Sequence, residues 1–425
     1  MMGFLTSMAQ AATMQPSWDL PPAQQRDGVF WREHWYEREE HPGYTRRLRI
    51  NSPEVVLGRF GNRAEARENG LMLIEAEEDL FLITAAELYA ELWGGHPGTA
   101  NKRISLNGRS TWTIPRVGTE EGHCTFSYPV VLLSATDLVN GMNAVQWSLD
   151  QGTTFWGHAM VDQACLRFAL TNQHPQLIEH GLAQFTAAVE AGIRSTSDAE
   201  ILRLKLVVDS AMRERIESVT FQGWYDGYDD NGNLRRRDWH GFTQDRLPVA
   251  HLGTAPLDAL AIDWDVSMLP AQKNVAVRAF VRFRDLPDLV YVTAATSNLT
   301  IHDRPKAMVH LYEPADLPAS FWSRDNQKKT CSIELDIAPD RIESAELCVI
   351  SWTGGAGDVK DYFTINGHPF PVAEGSGHTR QYNRLPVNPA ILKRGANTIE
   401  LLSDTEHHGI EILYPGPALM IRYQR

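Results

Sequence analysis

Two stretches of this 425-residue sequence repeat the same short motifs in the same order. The first copy reads Ala86-Glu87-Leu88, Trp93-Gly94-Gly95, Leu106-Asn107-Gly108, Leu138-Val139-Asn140-Gly141-Met142-Asn143 and Ala164-Cys165-Leu166-Arg167-Phe168. The second copy reads Ala345-Glu346-Leu347, Trp352-Thr353-Gly354-Gly355, Ile365-Asn366-Gly367, Leu392-Lys393-Arg394-Gly395-Ala396-Asn397 and Leu419-Met420-Ile421-Arg422-Tyr423. From the Ala-Glu-Leu motif to the Asn-Gly motif the copies stay 259 residues apart without a gap. The sequence therefore predicts one structural unit present twice.

Both copies consist of short β-favouring runs separated by Gly, Pro, Asn and Asp, which is the pattern of an all-β fold. The pair Asn107-Gly108 suits a tight hairpin with positive φ. Between the copies, alternating runs such as 201–206 and 275–283 predict a further small sandwich of Ig-like architecture. Six apolar residues at helical spacing predict one connecting helix over residues 175–194: Leu177, Ile178, Leu182, Phe185, Val189 and Ile193.

The repeated unit resembles the galactose-binding-like jelly-roll domains that are often appended to carbohydrate-active enzymes. The resemblance lies in the strand ending near Trp-x-Gly, the Asn-Gly hairpin, the Leu-x-x-Gly-x-Asn turn and the final strand that reads Leu-x-Ile-Arg-Tyr in the second copy. It implies a jelly-roll fold for each copy and favours sugar binding. It transfers no binding site, because such domains bind through variable loops.

Together these features predict two jelly-roll β-sandwiches that flank an Ig-like β-sandwich, with one short connecting helix. The predicted boundaries are a partly disordered lead-in at 1–45, the first jelly roll at 46–170, a helical connector at 171–196, the Ig-like unit at 197–303 and the second jelly roll at 304–425. A chain of this length is expected to form two or three domains.

Composition excludes several classes of partner. The net charge of −13 argues against nucleic acid and anionic membranes, because phosphate binding needs clustered Lys and Arg. No window of about 18 apolar residues is present, so the sequence predicts no membrane span. The first residues lack the basic and apolar stretches of a leader, which makes the cytoplasm the default expectation. The four cysteines do not have the spacing of a zinc site. They could form two disulfides, but the sequence does not require them.

The stretch 224–240 is the first candidate site, because it combines carboxylates, amides and aromatic rings. Its hard oxygen ligands on a Gly-bearing loop suit Ca²⁺: Asp226, Asp229, Asp230, Asn231 and Asn233. The match to an EF-hand loop fails at Leu234 and His240, and a plain Asp/Asn/Gly turn is an equal alternative. Four residues could contact a sugar: Trp224, Tyr228, Trp239 and His240. The aromatic rings could instead cover the end of a sandwich.

The second candidate site is the turn 404–411 in the second copy. Adjacent His407 and His408 among carboxylates can act as general acid and base or bind a metal. The predicted catalytic residues are His408, Glu411 and Glu406. Ordinary loop variation is the alternative, since the first copy carries Trp156-Gly157-His158 there.

Three functions follow from these patterns. The first is a protein that binds or processes a glycan, favoured by the duplicated unit and the 12 Trp. The second is a glycoside hydrolase or polysaccharide lyase with a carboxylate and His site between domains. The third is a structural protein whose copies form an assembly surface, with an oligomer as one arrangement. Convergence of Trp224, Trp239, His240, His408 and Glu411 on one surface would favour catalysis, and their separation would favour recognition.

Overall fold

The structure is a computed structural model that describes residues 28–37, 48–51, 70–95, 99, 101–114, 124–149, 158–195, 200–233, 235–374, 377–406 and 408–425. The first strands are β1 Val29–Trp35, β2 Leu48–Asn51, β3 Leu71–Ala76, β4 Ile83–Trp93, β5 Arg103–Leu106, β6 Ser110–Thr113, β7 Phe126–Ser127, β8 Val130–Leu133, β9 Gly141–Ser148 and β10 His158–Leu170. The middle strands are β11 Ala187–Ser195, β12 Glu200–Val208, β13 Ile216–Asp226, β14 Arg237–His240, β15 Phe242–Gln244, β16 Leu247–Val249, β17 Gly253–Thr254, β18 Ala261–Asp265, β19 Gln272–Phe283, β20 Leu286–Val292 and β21 Thr296–Ile301. The last strands are β22 Ala307–Tyr312, β23 Trp322–Ser323, β24 Lys329–Leu335, β25 Ile342–Thr353, β26 Phe363–Ile365, β27 His368–Pro369, β28 Thr379–Val387, β29 Gly395–Leu401, β30 Ile410–Ile412 and β31 Ala418–Gln424.

The all-β prediction is confirmed, but the predicted helix is much shorter than expected. Helix α1 spans only Pro175–Glu179, and residues 187–195 form strand β11 instead. Apolar residues at helical spacing also fit the observed arrangement, in which Leu182 and Phe185 are buried in the turns after the helix and Val189 is buried on a strand. Nine consecutive pairs with β12 stabilise that strand, so tertiary pairing overrides the local pattern.

One large sheet joins the first and middle parts of the chain. Within the described residues it has twelve strands, and its main path runs β14-β13-β19-β20-β1-β10-β4-β7. Strand β1 lies in the segment predicted as a lead-in and pairs with β10 on one side and β20 on the other. The remainder of that segment, residues 1–27 and 38–45, lies outside the described residues. The first and middle units therefore share a continuous sheet.

Two smaller sheets cover one face of the large sheet. They are β3-β9-β5-β6 and β11-β12-β18. A single apolar core runs beneath both of them, with Leu88 and Leu166 from the first unit and Phe221 and Val277 from the middle unit. Alternate residues of β4 face this core, so its intervening residues reach the opposite face.

The two repeated segments have the same strand order. The outer sheet β3-β9-β5-β6 of the first corresponds to β24-β29-β26-β27 of the second, and in both the long strand pairs with the last strand. The 3₁₀ turns Leu80–Leu82 and Pro339–Arg341 precede β4 and β25 at the predicted offset. Each long strand also has an irregularity at its start, opposite the end of its last strand.

The same asparagine network closes both segments. Asn143 Oδ1 accepts hydrogen bonds from Asn107 Nδ2 at 2.9 Å and from the Val139 amide at 3.0 Å. Asn397 Oδ1 accepts from Asn366 Nδ2 at 2.9 Å and from the Lys393 amide at 2.8 Å. Both receiving asparagines are fully buried. In each copy, the final Asn side chain of the Leu-x-x-Gly-x-Asn turn is therefore buried and joins its own turn to the Asn-Gly hairpin through hydrogen bonds.

The last strands of the two copies, β10 and β31, do not align as the match of their sequence motifs predicts. Leu166 lies opposite Leu88 and Leu419 lies opposite Leu347, so Arg167 corresponds to Met420 rather than to Arg422. The match of Arg167 with Arg422 was wrong by two residues. A shift of two leaves every side chain on its own face of a strand, so the apolar pattern cannot reveal it.

The C-terminal sandwich packs against the large sheet. Its own core lies between β25 and β24-β29-β26, while the opposite face of β25 contributes Cys348 and Ile350 to an interface cluster with Tyr89 and Tyr128. Because the middle of β25 is buried on both faces, residues 347–350 form a continuous apolar run. All four cysteines are buried and none of them is in a disulfide, so neither of the two possible disulfides is formed. In the described part of the chain, no helix has the length and apolarity to cross a membrane.

Candidate functional site

A cleft of about 550 Å³ crosses the large sheet on the face opposite its apolar core, and we call it the sheet cleft. Its lining includes residues of seven neighbouring strands, namely β4, β10, β1, β20, β19, β13 and β14. The segment 241–251 contributes a wall, and strand β8, which pairs with β4 at the end of this row, also lines the cleft. A concave site that combines apolar surface with a few polar groups is the usual form of a ligand site.

Four charged residues form an alternating ladder on the floor of the sheet cleft. Arg282 Nη2 donates to Glu33 Oε2 at 2.8 Å, and Arg167 Nε lies 3.5 Å from Glu33 Oε1. Arg167 Nη1 then donates to Glu87 Oε1 at 3.4 Å. The residues come from β19, β1, β10 and β4, so the large sheet itself sets the order base, acid, base, acid.

Burial alone would raise the Glu33 pKa, but Arg282 and Arg167 outweigh it and lower that pKa below its usual value. Burial likewise opposes the charge of Arg167, but Glu33 together with Cys165, Glu87 and Tyr89 outweighs it, so the Arg167 pKa is raised. Both side chains are therefore ionised, and they stabilise each other on the cleft floor. The Arg167 guanidinium also lies 4.1 Å from the centre of the Tyr89 ring.

The opposite end of the sheet cleft is an aromatic and amide surface. The Arg278 guanidinium lies 4.0 Å from the Trp239 ring centre and donates from Nε and Nη2 to Gln222 Oε1 at 3.1 Å each. Asn233 Nδ2 donates to Asp238 Oδ2 at 3.0 Å. Trp239 Nε1 and Asn233 Oδ1 are buried and have no hydrogen-bond partner among the described residues. A donor and an acceptor are therefore left for a ligand or a water molecule.

An anchored hairpin, β15–β16, forms one wall of the sheet cleft. Thr243 Oγ1 donates to Glu91 Oε1 at 2.7 Å, and the Asp245 amide donates to Glu91 Oε2 at 3.1 Å. Burial raises the Glu91 pKa to about 7, while Thr243 and Arg380 oppose that rise. Arg380 belongs to the C-terminal sandwich and lies 3.6 Å from Glu91. The cleft wall thus contacts both the large sheet and the C-terminal sandwich.

The residues predicted in stretch 224–240 are divided between the cleft and the protein interior. Trp239, Asn231 and Asn233 line the sheet cleft. Trp224 packs on Trp239 with ring centres 5.9 Å apart but does not line the cleft. Two further residues are buried outside it: His240 Nδ1 contacts Asp230 Oδ1 at 3.0 Å, and the Tyr228 hydroxyl donates to the Gly416 carbonyl.

The oxygens predicted to bind calcium mostly accept hydrogen bonds within their own loop. The Asn233 amide donates to Asp229 Oδ1 at 3.2 Å and to Asn231 Oδ1 at 3.1 Å. Asp226 lies at the end of β13, where Arg236 Nε is 3.5 Å from its Oδ1. Over the residues that the structure describes, no group of three or more His, Cys, Asp or Glu could hold a metal ion. Calcium binding stays a prediction.

The predicted catalytic residues belong to the C-terminal sandwich and differ in their exposure. His408 is exposed, and its Nδ1 lies 3.2 Å from Nε2 of His378. Glu411 is buried beside Cys124, and burial raises its pKa to about 7. Glu406 is exposed, and His407 lies outside the described residues. None of them lines the sheet cleft, so of the five residues proposed to converge only Trp239 belongs to its lining.

Comparison with known proteins gives only slight likenesses. No protein-family model matches the sequence, and no curated protein matches it. A β-porphyranase of glycoside hydrolase family 86 from Bacteroides plebeius is 10% identical, with a TM-score of 0.24 over 56% of this chain and 37% of its own. The Endo-D glycoside hydrolase domain from Streptococcus pneumoniae is 9% identical, with a TM-score of 0.25 over 54% of this chain and 31% of its own.

The extracellular domain of ANXUR1 from Arabidopsis thaliana covers more of the chain, at 95% of this protein and 90% of its own length, but with 8% identity and a TM-score of 0.19. This chain spans about a third of the family 86 structures it matches. TM-scores this low do not establish a common overall fold. The functional proposal therefore depends on the cleft itself.

Proposed function

We propose that this protein binds carbohydrate in the sheet cleft. The observation that supports the proposal is the lining, where aromatic rings lie beside planar hydrogen-bonding groups: Tyr89, Tyr128, Trp239 and Phe242 with Gln222, Asn231, Asn233 and Arg278. A sugar ring has an apolar face of C–H groups and an edge of hydroxyl groups. Aromatic surfaces stack on the apolar face, planar amides donate hydrogen bonds to the hydroxyl groups and accept them, and guanidinium groups donate to them.

Glycan-array screening followed by isothermal titration calorimetry tests this proposal. We expect binding by the wild-type protein and a loss of at least about tenfold for Trp239→Ala, because central aromatic residues dominate binding free energy. Trp322→Ala is the matched control, since Trp322 lies in the C-terminal sandwich and does not line the cleft. If the wild-type protein bound none of a broad panel of neutral and acidic glycans, the proposal would be contradicted.

Hydrolysis or elimination of a glycan is the second candidate. It is favoured by the Glu411 pKa of about 7, which suits a general acid or base. Burial of the carboxyl beside Cys124 disfavours access by a polymer. If an activity is detected, the double variant His408→Ala and Glu411→Ala should abolish it, and retained activity would exclude this site.

A further inference from the structure

The charges of the sheet cleft balance. Its described lining contains the acids Glu33, Glu87 and Asp238 and the bases Arg167, Arg278 and Arg282. The ladder on the floor pairs Glu33 with two of these bases. Asp238 accepts hydrogen bonds from Asn231 Nδ2 at 3.2 Å and from its neighbour's amide, that of Trp239, at 2.8 Å.

A charged ligand would disturb this balance. A sugar carboxylate or sulfate would compete with Glu33 for Arg167 or Arg282, and the displaced carboxylate would remain almost completely buried. Leaving a buried charge without its partner is strongly unfavourable. A hydroxyl group can accept from a guanidinium and donate to a carboxylate without separating them. An alternating ladder of acids and bases therefore suits vicinal hydroxyl groups.

Four buried polar atoms of the cleft lining have no hydrogen-bond partner among the described residues: Arg167 Nε, His251 Nδ1, Asn233 Oδ1 and Trp239 Nε1. Arg167 Nε already lies 3.5 Å from Glu33 Oε1 in the ladder. The two atoms on the aromatic and amide surface are uncharged. Trp239 Nε1 can only donate, and Asn233 Oδ1 can only accept. Asn233 is oriented by its Nδ2, which faces the Asp238 carboxylate, so its oxygen faces away from Asp238. One neutral donor and one neutral acceptor match the hydroxyl groups of a sugar.

The extent of the sheet cleft indicates a chain rather than a single sugar. Its lining spans seven adjacent strands, and neighbouring strands are about 4.8 Å apart, so the cleft is about 29 Å long. The hairpin β15–β16 lines one side of it, and β8, which pairs with β4, continues the row of strands at its end. An extended ligand lying across the strands fits these dimensions.

We infer that the ligand is an uncharged oligosaccharide chain that lies across the strands and binds through its hydroxyl groups. The inference rests on the proposed carbohydrate binding and narrows it to one class of glycan. It predicts that ionic strength has little effect on affinity, because no ion pair forms on binding.

Matched hexasaccharides test the charge of the ligand. Calorimetry would compare hexamers of galactose and glucose with hexamers of the corresponding uronic acids, at low and high salt. We expect at least one neutral hexamer to bind about tenfold or more tightly than its uronic counterpart, and affinity insensitive to salt. Tighter binding of a uronic hexamer, weakened by salt, would overturn the inference and leave carbohydrate binding intact. Failure of every hexamer and of the wider array would overturn the proposed function.

Two further measurements test the contacts and the length. Trp239→Phe retains an aromatic ring but removes the N–H donor, so we expect binding about three- to tenfold weaker. Trp224→Phe is the control, because that indole neighbours Trp239 without lining the cleft. Affinity should rise steadily from the disaccharide to the hexasaccharide. Equal affinity for a monosaccharide, or an equal loss in Trp224→Phe, would contradict the proposed binding mode.

Discussion

A buried carboxyl without a compensating cation makes stability depend on pH. Glu411 is such a group, since its Oε1 has no hydrogen-bond partner among the described residues and burial raises its pKa to about 7. An acid with a higher pKa in the folded state binds more protons when folded. Stability therefore falls as pH rises from 4.5, the ordinary value, to about 7. Glu91 and Asp229 have raised pKa values of about 7 as well and act in the same direction.

Replacing Glu411 with Gln should stabilise the protein at alkaline pH. The substitution removes a buried charge and keeps the shape of the side chain, so we expect a gain of about 1–3 kcal/mol at pH 8 and little change at pH 4.5. Urea unfolding at both pH values measures the difference. The exposed residue Glu406 provides the control variant Glu406→Gln, which should change neither value. A stability difference that is independent of pH would contradict this account.

Calcium binding by the loop after β13 is tested by chelation. The amide of Asn233 already occupies Asp229 Oδ1 and Asn231 Oδ1, so we expect EDTA to leave the melting temperature unchanged. Thermal unfolding with EDTA and with millimolar calcium makes the comparison. A higher melting temperature in calcium, lost in Asp229→Asn, would establish the calcium interpretation instead.

Part of the sheet cleft could be predicted from the sequence. Trp239, Asn231 and Asn233 lie within the stretch 224–240, whose polar and aromatic composition can be recognised from the sequence alone. The ladder could not be found in this way, because Glu33 and Arg282 are 249 residues apart and meet only after the large sheet forms. The sequence pattern indicates which residues share a face of a strand, but not which strands are neighbours.

Among the strands, β1 is the element that joins the first and middle units. Phe30 on this strand packs against Phe185, Phe283 and Tyr291, with ring centres 5.0 to 5.7 Å apart. The sequence suggested a lead-in because the segment is charged and precedes the first repeated motif. Its three apolar residues stand together before Arg32, Glu33 and His34, so the period-two pattern of a strand with one buried face is absent.

Phe30→Ala should weaken both units that flank β1. We expect a loss of about 3–5 kcal/mol, because a large buried ring leaves a cavity. Hydrogen exchange should increase in β10 and in β20, the two partners of β1. Phe81→Ala is the control, since Phe81 is 96% exposed and should cost less than about 0.5 kcal/mol. Faster exchange confined to β10 would show that the two units unfold independently.

Across the whole molecule, the repeated motifs predicted the strand order of both copies but not their environments. Arg167 lies in the sheet cleft, whereas its counterpart Met420 is buried in the interface cluster. Two copies with the same strand order therefore have different roles, because one extends the large sheet and the other packs on it. Contacts between units are not encoded in a repeat and could not be inferred from it.

The C-terminal sandwich should influence the sheet cleft through Arg380. This buried guanidinium pairs with Asp162 and Glu91, and Glu91 anchors the hairpin β15–β16. Arg380→Ala should cost about 3–5 kcal/mol, because it removes the guanidinium that pairs with two buried carboxyls. It should also weaken glycan binding measured by calorimetry, although Arg380 does not line the cleft. Arg425→Ala, which breaks an exposed pair with Asp303, is the control. Unchanged affinity in a folded Arg380 variant would show that the hairpin does not depend on it.

A crystal structure of the protein with the tightest-binding neutral hexasaccharide tests carbohydrate binding in the sheet cleft most directly. We expect a sugar ring stacked on Trp239, a hydroxyl oxygen within about 3 Å of Trp239 Nε1, and further sugars across β19 and β1. A hexasaccharide bound instead at the loops around His378 and His408, with the sheet cleft filled only by water, would contradict the account.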